Sequence, residues 1–431
     1  MTALTDAGAT DLILDARTRL LEALAREGEG GTDALARAAE FGDEVVLVVE
    51  SLTPSLVARL PPRVRGIVAV DEEPEAGRAR TSHAAILARG RDIPLALVPS
   101  HVALAIDEGE PLVLDTTVSP ARVWVSPSES LIGDARARQA QHRSGGGADE
   151  RVAADAAATV AERHAVKLLV NVGSLHDRVP AGAEGVGLLR TELLFAGRTT
   201  APTEGDQVAA LLAVARAARG KMVTARLWDA GADKPLPWLP ASSPESRGVA
   251  LLFEHPAVLR TQLAAFARAA ERAPVRALIP MTRGPADVTA VRAGLPGHRV
   301  PVGAMIETPE AARDASAIAE VADFVCIGTN DLSALTLGAS RADAAQALDL
   351  RVLRLLARVI ESVHACGKEV TVCGEVAGDP LGAAILVGLG VDGLSVAPPR
   401  FPSTSRTLAE ATVDQCEAAA RRALGTERSH G

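Results

Sequence analysis

The spacing of apolar and polar positions changes along the chain. Residues 10–40 repeat apolar positions every three or four residues and predict two helices. Short apolar runs between turn residues follow: GDEVVLVVE (42–50), RGIVAV (65–70), IPLALV (93–98), EPLVLD (110–115) and RVWVS (122–126), each predicting a strand. These elements predict a compact mixed domain over residues 1–127. Residues 128–165 are charged and alanine-rich with SGGGAD in their middle, which predicts a linker of two helices that bends at the glycines.

From Lys167 the pattern becomes strand, loop, helix, repeated. The runs at 167–173, 185–191, 222–229, 276–281, 300–307, 324–330, 369–375 and 393–398 are short and apolar, and a helical stretch follows each. Eight such units over residues 166–431 fit a (β/α)8 barrel better than an open sheet. The predicted fold class is α/β: a C-terminal TIM barrel preceded by a β/α domain and a helical linker.

Polar residues interrupt the runs at one edge. Asn171, Arg190 with Glu192, Arg226 with Asp229, Glu307, Asn330 with Asp331, and Cys373 with Glu375 all fall at the carboxyl ends of their strands. In a barrel of this kind the loops of that edge converge on the active site. Six strands sharing the feature are hard to read as surface decoration.

Composition narrows the functional classes. The chain of 431 residues is 48% hydrophobic and 23% charged, enough for two or three domains with cores. A net charge of -9 and an aromatic content of 2%, without tyrosine, exclude a nucleic-acid surface built from basic stripes and stacking rings. No apolar run reaches membrane-spanning length, and the N-terminus lacks a signal peptide's pattern. The expected location is the cytoplasm and the expected partners are small molecules or proteins, not a membrane. Cys326, Cys366, Cys373 and Cys416 lack metal-binding spacing and are expected as reduced thiols.

The barrel residues suggest a chemistry. Arg190, Arg226 and Lys234 around one mouth form an anion trap, since guanidinium groups grip phosphate or carboxylate with two hydrogen bonds. Glu307 and Asp331 on neighbouring strands offer hard oxygen ligands for Mg²⁺. Together they suit a small, doubly anionic phosphate ester, although the same carboxylates could simply pair with the arginines. Cys373 by itself reads first as a packed, inert thiol, the usual state of a free cysteine, and only second as a catalytic one. His83, in RTSHAAILAR, follows two hydroxyl residues at a helix start, where a phosphoryl group on its ring would meet helix N–H groups. A capping turn with a solvated histidine fits that local sequence as well.

These motifs, taken in order, resemble enzyme I of the bacterial phosphoenolpyruvate:sugar phosphotransferase system and, more widely, the phosphoenolpyruvate-utilising enzymes. RTSHAAILARGRDIPLALV is similar to the family's phosphohistidine signature; GVGLLRTELLF, ARLWDAGADKPLPWLP, FEHPAVLRTQL, GAMIETPEA, FVCIGTNDLSALTLGASR and VCGEVAGDPLGAAILVGLGVDGLSV resemble its successive barrel motifs. The resemblance runs from about residue 10 to about residue 415. It implies that the first domain swivels and that phosphoenolpyruvate binds at the barrel mouth. The phosphate would rest on Arg190, Arg226 and Arg341, with Mg²⁺ held by Glu307 and Asp331 and with Asn330 beside them. His83 would take the phosphoryl group and Cys373 would protonate the enolate carbon, releasing pyruvate. The acceptor would be a histidine-containing phosphocarrier protein, and the barrel would form a homodimer.

The chain also departs from the family pattern. Ala250 stands where the family carries a second arginine three residues after the one matching Arg247, and Arg78-Ala79 replaces a glycine pair before the histidine motif. The helical subdomain that docks the phosphocarrier protein is expected to be largely missing. Two further readings follow: a regulatory paralogue that binds phosphoenolpyruvate without efficient transfer, and a dikinase or synthase, which would need an ATP-binding domain.

Overall fold

A computed structural model describes the backbone of residues 13–16 and 18–21 and, from residue 45 to 425, all residues except 51, 53–55, 58–59, 62–63, 71–87, 89–92, 108, 116–121, 176, 196–197, 232–235, 244–245, 296, 298–299 and 339–346; side chains 136–150 are also outside the description. The chain divides into two compact units, Met1–Asp149 and Glu150–Gly431.

In the first unit, residues expected to be helical form strands β1 (Ile13–Ala16) and β2 (Thr18–Leu21), which corrects the reading of 10–40 as two helices wherever that stretch is described. Tertiary pairing decides the matter. β2 lies parallel to β3 (Val45–Val49), and β4 (Val64–Val70) and β5 (Leu95–Val98) complete a four-stranded parallel sheet in the order β2-β3-β4-β5. β1 pairs antiparallel with β6 (Leu112–Asp115), which in turn pairs with β7 (Arg122–Val125). Context of this kind routinely outweighs a local helical period. The β3 sequence VVLVV is buried at every position, as expected for β-branched residues covered on both faces. Val46, Val48, Val68 and Val98 pack with Leu112, Leu114 and Val123, joining the two sheets through one core.

Residues Glu129–His164 form one uninterrupted helix of 36 residues, about 54 Å at 1.5 Å per residue. The expected break at SGGGAD is therefore not present. Glycine costs a helix roughly 1 kcal/mol relative to alanine but does not forbid it, and the flanking Ala-, Arg- and Glu-rich segments favour it.

The second unit is the expected barrel. Its strands are β8 (Lys167–Val172), β9 (Gly185–Arg190), β10 (Met222–Arg226), β11 (Val275–Ile279), β12 (Val302–Ile306), β13 (Phe324–Ile327), β14 (Glu369–Val372) and β15 (Gly393–Val396), all paired in parallel, with β15 closing onto β8. Small residues opposite large ones fill the interior: a Cβ on Gly303 would lie 2.3 Å from the Phe324 ring, and one on Gly187 would lie 2.5 Å from Ser395 Oγ. The surrounding helices are amphipathic. Leu350–Ala365 buries Val352, Leu353, Leu356, Val359, Ile360 and Val363, spaced three and four apart, each contributing roughly 1.5–3 kcal/mol of transfer free energy. Among the described residues, no helix is long and apolar enough to cross a membrane.

All eight barrel strands end before their apolar runs do, and the difference moves predicted site residues off the strands. β10 stops at Arg226 and β13 at Ile327, so Asp229 lies in a loop while Asn330 and Asp331 fall in the first turn of helix Thr329–Leu337. A carboxylate there also faces the positive end of the helix dipole.

Candidate active site at the carboxyl end of the barrel

Arg226, the last residue of β10, is almost wholly buried. Its Nη2 lies 2.6 Å from Glu192 Oε1 and 3.0 Å from Asp229 Oδ2. Thr191 holds the strand end by donating its hydroxyl to the Arg226 carbonyl at 2.7 Å. Burial opposes the guanidinium charge, yet Asp229, Glu192 and Glu307 together raise its pKa further above an already high value.

Arg247, in the loop before helix Val249–Glu254, is the second cation. It donates to both oxygens of Asp331, Nη1 to Oδ1 at 3.3 Å and Nη2 to Oδ2 at 3.0 Å, and its Nε lies 3.5 Å from Asp229 Oδ1. Arg247 thus lies on a predicted metal ligand. Ala250 is one turn away on the half-buried face of that helix.

Glu307 follows β12 and is 1% exposed. Burial, then the negative charges of Asp331 and Asp229, push its carboxyl from the ordinary 4.5 to about 8, against the opposing influence of Arg226 and Arg247. Its Oε1 accepts the Met281 amide at 2.7 Å. Met281 makes that contact from a left-handed conformation, φ 48°, which non-glycine residues seldom adopt and which marks a site under constraint. Gly248, at φ 56°, lies against it, and a Cβ there would come within 2.7 Å of the Met281 Cβ.

Across the barrel, Cys373 follows β14 in a loop pinned from several sides. Its amide donates to the Ile327 carbonyl at 3.1 Å, Asn171 Nδ2 donates to the Cys373 carbonyl at 3.3 Å, and the Glu375 amide donates to Asn330 Oδ1 at 3.0 Å. Asn171 is itself held by the Ser395 hydroxyl at 2.7 Å. Gly374 is required here, because a Cβ would lie 1.8 Å from Thr329 Oγ1. The Cys373 thiol is kept protonated: the neighbouring Cys326 sulfur, then burial, then nearby negative charge raise its pKa well above the usual range.

The barrel edge therefore brings Arg226, Glu307 and Asp331 into one ion cluster, while Glu307 and Arg226 also lie close enough to Cys373 to act on its charge. Arg190, half-buried at the end of β9, stands in register beside Arg226 and has no carboxylate partner among the described residues. Asn330 is engaged through its oxygen in shaping the Cys373 loop. His83, Lys234 and Arg341 lie outside the described residues. Sequence reasoning passed over Met281 and Cys326. Met281 carries no side-chain signal, since it contributes a backbone amide. Cys326 could have been found from strand parity, because it shares the inward face of β13 with Phe324.

Four carboxylates, Glu192, Asp229, Glu307 and Asp331, meet two guanidiniums, Arg226 and Arg247, so the cluster is two charges short of neutral when fully ionised. The residues present fit Mg²⁺. Glu307 Oε2 faces Gly328, whose Cβ would approach it to 2.9 Å, so the missing side chain leaves room at that oxygen. Among the described residues no three His, Cys, Asp or Glu side chains form a closed metal cage. Mg²⁺ takes one or two carboxylates from a protein and completes its shell with phosphate oxygens and water, and Glu307 and Asp331 are two such carboxylates.

Comparison with known proteins gives the family. The model for the PEP-binding domain of PEP-utilising enzymes matches residues 148–413, and that for their mobile domain matches residues 41–118. A phosphoenolpyruvate-protein phosphotransferase of Streptomyces coelicolor is 40% identical over 405 residues, covering 89% of this chain and 70% of that protein. One of Geobacillus stearothermophilus is 33% identical, covering 83% of this chain and 65% of its own length. A multiphosphoryl transfer protein of Xanthomonas campestris pv. campestris is 34% identical, and the chain spans 47% of it. With both domain types in order and two relatives matched over about two thirds of their length, the chain belongs to the phosphoenolpyruvate-utilising enzymes, as a relative of the phosphoenolpyruvate-protein phosphotransferases.

Proposed function

We propose that this chain is an enzyme I-type phosphoenolpyruvate-protein phosphotransferase: it takes the phosphoryl group of phosphoenolpyruvate onto its own His83, releases pyruvate, and passes the group to a histidine of a phosphocarrier protein in a sugar-transport relay. The observation that carries this reading is the meeting of an anion-binding arginine pair, a carboxylate pair and a protonated thiol at one barrel edge. Each has a task. Arg190 and Arg226, adjacent in register, bind the anionic substrate; Arg226 arrives already fixed by Glu192 and Asp229, so little reorganisation is needed during transfer. Lys234 and Arg341 add positive charge to the same anion, and Asn330 shapes the loop beneath it.

Glu307 and Asp331 are the ligands that would hold Mg²⁺. Bound there, the ion would neutralise the excess charge of the cluster and screen the phosphoryl oxygens from the attacking imidazole. Asp331 exchanges its Arg247 pair for that role. Cys373 keeps its proton until the enolate forms, then gives it to the enolate carbon. Phosphoryl transfer needs positioning and charge neutralisation more than covalent assistance, and a rigid barrel edge supplies both. We also place the protein in the cytoplasm, where phosphoenolpyruvate is made, and as a homodimer through the barrel.

The test couples pyruvate release to transfer. With Mg²⁺, phosphoenolpyruvate and a histidine-containing phosphocarrier protein, wild type should release one pyruvate for each phosphorylated carrier, and His83→Ala should release none. Binding of phosphoenolpyruvate without any pyruvate from wild type would overturn the reading in favour of a regulatory role.

A further inference from the structure

Cys326 is a second thiol in the barrel interior for which the reaction above has no use. It lies on β13, and Cys373 directly follows the neighbouring strand β14. Both are buried and unoxidised, and the Cys326 Sγ donates to the Cys373 Sγ at 3.1 Å. A thiol is a weak donor and a weak acceptor, so the two sulfurs at this separation can share one hydrogen bond. The Cys373 thiol has a further contact, the Ile327 carbonyl at 3.5 Å. Leu188, Leu278, Met305 and Phe324 complete the layer and keep it apolar.

That setting creates a difficulty for the proposed chemistry. When the Cys373 S–H bond breaks and its proton forms the new C–H bond of pyruvate, a thiolate is left in an apolar layer near the Glu307 carboxylate. An unpaired buried anion is expensive. The charged and titratable groups acting on the two sulfurs are Glu307 from the end of β12, Arg226 from β10 and Arg276 from β11, with the Thr371 hydroxyl of β14 beside Cys326. Arg276 is held by Thr224 at 2.7 Å, pairs with Glu369 at 3.4 Å and stacks over the Phe324 ring at 3.8 Å, so its charge, shared with Glu369, is fixed on the Cys326 side of the layer. The Cys326 side is therefore the more favourable place for negative charge. Accordingly the hydrogen bond with Cys373 and the Thr371 and Arg276 contributions lower the Cys326 pKa despite burial.

We propose that Cys326 is a positioning residue for Cys373: its S–H, 3.1 Å away, steadies the Cys373 thiolate after protonation of the enolate and hands it a proton, leaving the charge on Cys326, on the Arg276 side of the layer. The step balances. The Cys373 S–H breaks as the pyruvate C–H forms, the Cys326 S–H breaks as the Cys373 S–H is restored, and water replaces the Cys326 proton when product leaves. The inference rests on the proposed protonation role of Cys373, and it concerns the fate of the thiolate, not phosphoryl transfer to His83.

The test uses the full chain as wild type, Cys326→Ala, Cys326→Ser and Cys373→Ala. Cys326→Ala should lower kcat for pyruvate release by about tenfold or more, as expected for loss of a hydrogen bond to a charged group, with KM for phosphoenolpyruvate within about twofold. Cys326→Ser, which keeps a donor, should recover most of kcat. Phosphohistidine formation in a single turnover should be unaffected by either substitution. A second readout needs no turnover: the infrared S–H stretch of Cys326 should lie at lower frequency in wild type than in Cys373→Ala, where its acceptor is gone. Equal kcat for wild type and Cys326→Ala, or Cys326→Ser as impaired as Cys326→Ala, or an unshifted S–H band, would overturn the proposal. A wild type that makes no phosphohistidine but shows the shifted band would instead sink the functional reading and leave the thiol pair standing.

Discussion

Glu307 should make the stability of the metal-free protein fall as the solution becomes more alkaline. Its carboxyl is raised from 4.5 to about 8 by burial and by Asp331 and Asp229, so the fold holds a proton that the unfolded chain has already released. A raised folded-state value means that the stabilising contribution is complete below 4.5 and is lost as pH climbs through about 8. At about 1.4 kcal/mol per pH unit, the shift from 4.5 to about 8 sets an upper limit on the order of 5 kcal/mol for the loss across that window. The assay is urea unfolding at a series of pH values for wild type and Glu307→Gln, with and without Mg²⁺. The difference between the two proteins isolates this group from every other titration. Wild type should lose stability relative to Glu307→Gln as pH rises, and Mg²⁺ should remove most of the loss, because it supplies the two positive charges that the cluster lacks. Parallel pH profiles for the two proteins would refute the claim that Glu307 sits in a carboxylate-rich cluster short of positive charge.

Arg226→Met should destabilise the fold by about 3–5 kcal/mol in urea unfolding, since it strands Glu192 and Asp229 in the interior, and adding Glu192→Gln should recover part of the loss. Gly374→Ala places a Cβ 1.8 Å from Thr329 Oγ1 and should cost about 1–3 kcal/mol, relieved in part by Thr329→Ala; unchanged melting of the single variant would contradict the loop geometry. Ala250→Arg should raise kcat/KM for phosphoenolpyruvate by up to about two orders of magnitude by restoring a phosphate contact, and no gain would mean that Arg247 already fills that role.

The barrel was legible because parallel strands buried on both faces leave short apolar runs, and because the polar residues that interrupt them cluster at the functional edge. That rule alone places Arg226, Glu307 and Cys373 at this edge, where the structure has them. Asp331 was assigned to a strand end although it lies in a helix, because the run FVCIGTN stays apolar past the point where hydrogen bonding to β14 stops. The strands at 13–21 depend on partners that come 27 or more residues later in the chain, and no local period reveals such pairing. The glycine run inside Glu129–His164 misled for the opposite reason: a break was read from three residues while the flanking segments set the helix. Met281 acts through its backbone, and the value of Arg247 lies in its two carboxylate partners, which sequence alone does not bring together.

The central claim is that His83 receives the phosphoryl group of phosphoenolpyruvate. Intact-mass and peptide mass spectrometry after incubation with phosphoenolpyruvate and Mg²⁺ tests it most directly: one acid-labile phosphoryl group localised to His83 in wild type, and none in His83→Ala, is the expected result. An unmodified wild type, or a phosphoryl group on any other residue, would contradict it.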